Sequence, residues 1–129
     1  MVETAYLTYE ELVVINKEVL ARIKVKRADA FKILSAFRLQ KLLEDMKSTR
    51  GDVYNKAVAL LKGLVQEHPF ASGNRRTAAV AVIRFLRTNK VEPSFKEDAK
   101  ILQGIREDYY SDLEIKKWLQ GGDMREFKR

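Results

Sequence analysis

The chain of 129 residues has no cysteine, two prolines, six glycines and a single histidine. Each shortage narrows what it can be. Without cysteine there are no disulfides and no thiolate metal sites, and the compartment this implies is a reducing cytoplasm. So few prolines and glycines argue against an all-β sandwich, which needs many tight turns. The longest apolar run, Ala78 to Ile83, is far too short to span a bilayer, so no membrane association is expected. Met1 to Glu11 carries three glutamates and no basic residue, which does not read as a signal peptide.

What is present points to a globular protein. Hydrophobic residues make up 46% and charged residues 33%, enough apolar content to fill a core at the size of one domain. One domain over residues 1–129 is therefore expected, with residues 123–129 as a charged tail prone to fraying. The net charge of +7 raises the question of nucleic acid. Residues 1–65 hold 12 basic and 8 acidic side chains, and residues 66–129 hold 13 and 10. The excess is spread evenly, without a basic arm or tail, and this counts against a nucleic-acid partner.

Helical signals recur along the chain. Thr8-Tyr9-Glu10-Glu11 fits a capping box, with Leu7 and Leu12 placed as a hydrophobic staple. Leu12, Ile15, Val19, Leu20 and Ile23 follow at helical spacing. A second helix is predicted over Ala28–Lys47, with Phe31, Leu34, Leu42 and Met46 on one side, and Ser48 to Asp52 as a connection. A third runs over Val53–Glu67 and stops before Pro69, which disfavours helical geometry at His68. Helix resumes by Thr77 and continues to Thr88, with the apolar Ala78–Ile83 stretch marking it as the buried central element. Ser94-Phe95-Lys96-Glu97 and Ser111-Asp112-Leu113-Glu114 read as two further capping boxes, and Gly121-Gly122 as the final stop. No strand-like alternation of useful length and no internal repeat is found. The expectation is an all-α bundle of about six helices.

The chemistry concentrates in His68-Pro69-Phe70-Ala71-Ser72-Gly73-Asn74-Arg75-Arg76-Thr77. Gly73 permits a tight turn and close approach of a ligand to the backbone. If Asn74 to Thr77 form a first helical turn, its free amides and the helix dipole favour an anion. Arg75 and Arg76 add permanent positive charge in a forked geometry that suits phosphate oxygens. His68 has the pKa range to take a proton from an attacking hydroxyl near neutral pH. Phe70 is placed to anchor the turn in the core, and Asn74 to hydrogen-bond either backbone or phosphate. Taken singly, a histidine before proline, a Gly-Asn turn and two surface arginines are ordinary. Their arrangement together suits transfer of a phosphoryl or nucleotidyl group onto a hydroxyl.

This run resembles the central motif of the Fic/Doc family, His-x-Phe-x-(Asp/Glu)-(Gly/Ala)-Asn-(Gly/Lys)-Arg, at His68, Phe70, Gly73, Asn74 and Arg76. The short length, the helical pattern, the opening Leu7-Thr8-x-Glu10-Glu11 and the downstream Phe85 to Asn89 are similar to the small death-on-curing (Doc) branch. The resemblance covers the chain from Leu7 to about Gln120. It implies that His68 is the general base and that the motif amides with Arg76 hold the phosphates of ATP, the donor. It also implies a magnesium ion on the motif's acidic residue. Most Fic relatives transfer AMP to a protein hydroxyl; the Doc toxin transfers a phosphate to elongation factor Tu and is neutralised by an antitoxin protein. No match to the inhibitory Ser/Thr-x-x-x-Glu-Gly/Asn motif of some relatives is found, which points to a separate partner for inhibition.

Two departures stand out. The acidic position is Ser72, a weak ligand for a hard cation such as magnesium. Arg75 stands where the AMP-transferring branch has glycine and the Doc branch lysine, and the further arginine of the longer Fic signature is Ala79. Arg75 and Ala79 favour phosphotransfer over AMP transfer. The target-docking flap that precedes the motif in the family is expected around Ser48 to Asp52. Three readings follow: a Doc-like phosphotransferase toxin, a catalytically impaired relative that binds nucleotide or a partner, and a helical nucleic-acid-binding domain.

Overall fold

A computed structural model describes residues 3–22 and 31–128. Among them are six helices: α1 (Tyr9–Arg22), α2 (Ala36–Ser48), α3 (Val53–Glu67), α4 (Asn74–Thr88), α5 (Ala99–Arg106) and α6 (Asp112–Leu119). The only strand-like pairing among these residues is one antiparallel bridge, Ile33 to Phe70. The fold is all-α, as the helical periodicity predicts. No helix among the described residues is long and apolar enough to cross a membrane.

Local capping chemistry places several helices where the sequence puts them. The Thr8 hydroxyl accepts from Glu11 N–H at 3.1 Å while the Glu11 carboxylate accepts from Thr8 N–H at 3.0 Å. Leu7 and Leu12 on either side of this cap are both buried. Asp52 caps α3 reciprocally with Asn55, and Ser111 caps α6 reciprocally with Glu114. Gly121 takes φ +97° just after α6, a conformation that suits glycine.

Two helix starts differ from expectation. The second helix begins at Ala36, with Ser35 as its cap, and not at Ala28. Residues 28–30 of the expected second helix, and Ile23 of the first, lie outside the described residues. Residues 31–35 are extended because their backbone is committed elsewhere: Leu34 and Ser35 N–H donate to the Pro69 carbonyl, and Ala71 N–H donates to the Lys32 carbonyl. Phe31 accordingly packs on Phe70 and Leu34 is exposed, whereas Leu42 and Met46 join the core as expected. The second difference is α5, which starts at Ala99 with Asp98 accepting from Lys100 and Ile101 N–H. Ser94 does not cap it. Phe95 is drawn into the core against Trp118, and Glu97 is engaged with Arg76.

Helix α4 is the central element and packs against α1, α3 and α5. Ala78, Ala79, Ala81, Val82, Phe85 and Leu86 are fully buried along it. Helices α2 and α3 meet closely at Gly63, where a β-carbon would sit 2.8 Å from Leu42 Cβ. In the tail, expected to fray, the Arg125 guanidinium bonds Glu114 at 2.5 Å and the Tyr109 carbonyl at 2.7 Å, and Phe127 packs on Tyr109.

Candidate functional site

The motif forms the joint between α3 and α4. Helix α3 ends at Glu67, and His68 takes the left-handed conformation at φ 52°, ψ 56°. A non-glycine residue is uncommon there and costs roughly 1–2 kcal/mol. The joint is tied from several sides. Pro69 and Ala71 pair with residues 31–35, and the Phe70 side chain is fully buried against Phe31. The Asn74 side chain closes the loop on itself: Phe70 N–H donates to Asn74 Oδ1 at 3.0 Å, and Asn74 Nδ2 donates to the Phe70 carbonyl at 2.8 Å. Gly73, the N-cap of α4, sits at φ +76°. A β-carbon there would meet Leu20, Val19 and Asn16 at 3.3–3.4 Å.

A residue on α1 completes the joint. Asn16 is fully buried, and its Nδ2 donates to the Ser72 carbonyl at 2.9 Å and to Thr77 Oγ1 at 3.0 Å. No sequence motif includes it. A signal was present, since Asn16 sits among Leu12, Ile15 and Val19 on the buried face of α1, and a buried polar residue is the informative exception.

Around the joint opens a cleft of about 410 Å³, lined by His68, Ser72 and Gly73 to Arg76 on one side and by α5 on the other. Gly73 caps α4 without a side-chain hydrogen bond, so no side chain among the described residues caps the first-turn amides, which a ligand can reach. His68 is half-buried. Burial first, and then the charges of Arg106 and Arg75, push its imidazole below the ordinary histidine value. It is therefore neutral, and able to accept a proton, near neutral pH. Arg75 donates to Gln103 Oε1 at 2.7 Å, and Arg76 Nε lies 3.4 Å from Glu97 Oε2, both of that pair being well exposed.

The structure brings His68, Ser72, Gly73, Asn74, Arg75 and Arg76 to one cleft, and separates two expected roles from it. The Asn74 side chain is spent on Phe70 and offers only its backbone amide. Thr77 is fully buried, its hydroxyl accepts from Asn16, and its N–H donates to the Gly73 carbonyl at 2.8 Å. Thr77 is thus a strut of the turn and not a phosphate ligand. The flap expected at Ser48 to Asp52 is also misplaced. It lies at the start of α3, a 15-residue helix of about 22 Å, with His68 at the other end. The segment beside the motif is residues 31–35. A cleft of similar size, about 430 Å³, lies between α2 and α3 and contains none of the motif residues.

The donor set does not suit a resident magnesium ion. Ser72 offers a neutral hydroxyl, and Glu97, the one carboxylate among the described residues that line the cleft, is engaged with Arg76. Among the described residues no group of three His, Cys, Asp or Glu is placed to hold a metal.

The family model described as Fic/DOC family matches residues 6–86, which takes in α1 to α3, the joint and nearly all of α4. No curated protein matches the chain.

Proposed function

The chain belongs to the Fic/DOC family, whose members typically transfer a nucleotide-derived group to a target, and from that premise we propose that it transfers the γ-phosphoryl group of ATP to a hydroxyl of a target protein. The observation that carries this reading is the neutral His68 imidazole in one cleft with the α4 amides and Arg75 and Arg76. In the step proposed, His68 accepts the proton of the target hydroxyl as its oxygen bonds to the γ-phosphorus. The bond from that phosphorus to the β–γ bridging oxygen breaks, and ADP leaves with the bonding electron pair. The amides and arginines stabilise the charge on the phosphate oxygens. Arg75, in the place of a small residue, and Ala79, in the place of an arginine, support phosphoryl over AMP transfer.

The biological role proposed is that of a Doc-like toxin acting in the cytoplasm on a translation protein such as elongation factor Tu, and held in check by a separate antitoxin. The experiment uses purified protein, cell lysate and ATP labelled on either its α- or its γ-phosphate. Labelling of a protein band from the γ-label alone, lost in His68→Ala, is the expected result. Labelling from the α-label would replace phosphoryl by AMP transfer. Equal labelling by wild type and His68→Ala would remove His68 as the base.

Ser72 favours a second reading, a nucleotide- or partner-binding relative that has lost turnover. If Ser72→Asp gains magnesium-dependent transfer that the wild type lacks, this second reading stands. Equal transfer by the two proteins disposes of it.

A further inference from the structure

Beyond residue 86, where the family match ends, α5 supplies the opposite wall of the cleft. Leu102 and Ile105 bury one face of this helix. Gln66, two residues before His68, donates its side-chain amide to the Ile105 carbonyl at 2.8 Å. The last turn of α5 is thereby pinned to the end of α3, and Arg106 lines the cleft that His68 lines. Among the described residues no hydrogen bond or ion pair engages the Arg106 guanidinium. One turn earlier, Gln103 holds Arg75. Among the described residues the cleft thus gathers three guanidinium groups, Arg75, Arg76 and Arg106, against one carboxylate, Glu97. A guanidinium keeps its charge at any working pH and grips phosphate oxygens in pairs.

We infer that this cleft holds a nucleoside triphosphate without a resident divalent cation, its phosphate charge being met by Arg75 and Arg76 on one wall and by Arg106 on the other. The inference rests on the nucleotide reading of the site and deepens it. It also accounts for Ser72: a carboxylate beside three arginines would compete with the phosphates for them, and a neutral hydroxyl does not. Magnesium complexation lowers the negative charge of the triphosphate, so an arginine-based site prefers the free anion.

Isothermal titration of ATP into the full-length protein, once in EDTA and once in excess magnesium chloride, tests this. Wild type is expected to bind in EDTA at least as tightly as in magnesium. Arg106→Gln is expected to bind about tenfold more weakly in EDTA, the loss of one charge-assisted phosphate contact. Arg106→Lys, which keeps the charge and loses the fork, should fall between the two. Arg106 is exposed and has no partner among the described residues, so an unchanged thermal melt of both variants is the control for folding. Binding by wild type only in magnesium would overturn the inference and leave the nucleotide reading standing. Arg106→Gln binding as tightly as wild type would remove the α5 wall. Absence of ATP binding in both conditions would overturn the nucleotide reading itself, and the inference with it.

Discussion

Asn16 and Thr77, 61 residues apart, are joined inside the protein by a 3.0 Å hydrogen bond from Asn16 Nδ2 to Thr77 Oγ1. The same amide nitrogen donates to the Ser72 carbonyl at 2.9 Å. Since a carbonyl only accepts, this second bond fixes which end of the Asn16 amide faces the motif. One side chain on α1 therefore holds both ends of the turn that presents the α4 amides.

The first prediction concerns that clamp. Asn16→Ala leaves the Ser72 carbonyl and the Thr77 hydroxyl buried without this partner and should cost about 1–3 kcal/mol of stability. Asn16 Oδ1 is itself buried without a partner among the described residues, which partly offsets the loss. Asn16→Asp should be worse, because it turns a carboxylate oxygen toward the Ser72 carbonyl. Urea unfolding gives the stability, and ATP titration at a temperature where the variant is folded gives the effect on the cleft. An Asn16→Asp protein as stable as wild type would remove the clamp.

The second prediction is a pH profile. Burial and the charges of Arg106 and Arg75 hold the His68 pKa below its ordinary 6.5. Transfer requires the neutral imidazole, so activity should persist below pH 6.5 and fall away only on its acid side. Arg106→Gln removes one source of the depression, and the acid limb should move up toward 6.5. The stability sign follows from the same shift. The fold favours neutral His68, so its contribution is fully present above the unfolded-state pKa. That contribution is lost as pH falls through the lower folded-state value. Rate against pH for the two proteins, with His68→Gln as the stability control, checks both. An acid limb at the same pH in wild type and Arg106→Gln would refute the coupling.

Helix α3 and the caps of α1 and α6 were legible in the sequence because their determinants are local. Thr8 with Glu11 and Ser111 with Glu114 are three residues apart, and Pro69 stops α3 by its own geometry. The start of α2 was not legible. What holds residues 31–35 extended is the Pro69 carbonyl and Phe70, more than 30 residues away. The sequence favours Ser94 as a cap, with Glu97 three residues on, whereas in the structure Phe95 is drawn into the core against Trp118 and Asp98 caps α5. In the site, His68, Gly73 and Arg76 announce themselves as a motif. Arg106 and Glu97 do not, because only the packing of α5 on α3 and α4 brings them to the cleft.

The third prediction isolates Glu97. Its carboxylate lies 3.4 Å from Arg76 Nε, where a phosphate would have to compete for the same guanidinium. Both side chains are well exposed, so the pair adds little stability, on the order of 0–1 kcal/mol. Glu97→Gln should leave the melting temperature almost unchanged and tighten ATP binding in EDTA by a few fold. Raising the salt concentration should narrow the difference, because ions screen both the pair and its competitor. Weaker binding by Glu97→Gln would mean that the carboxylate assists the ligand.

The fourth prediction tests the turn itself through Gly73→Ala. At φ +76° an alanine is strained by roughly 1–2 kcal/mol. Its β-carbon would also press on Leu20 Cδ2, Val19 Cγ1 and Asn16 Nδ2 at 3.3–3.4 Å. Leu20 has room to yield, being half-buried, whereas Val19 and Asn16 are buried on α1. Relief must therefore come from the turn, which moves away from α1 and takes the Asn74, Arg75 and Arg76 amides with it. The expected result is a moderate loss of stability together with a loss of ATP affinity, in contrast to Glu97→Gln, which leaves the backbone in place and tightens binding. If Gly73→Ala lost stability but bound ATP as wild type does, the first-turn amides of α4 would not be phosphate ligands.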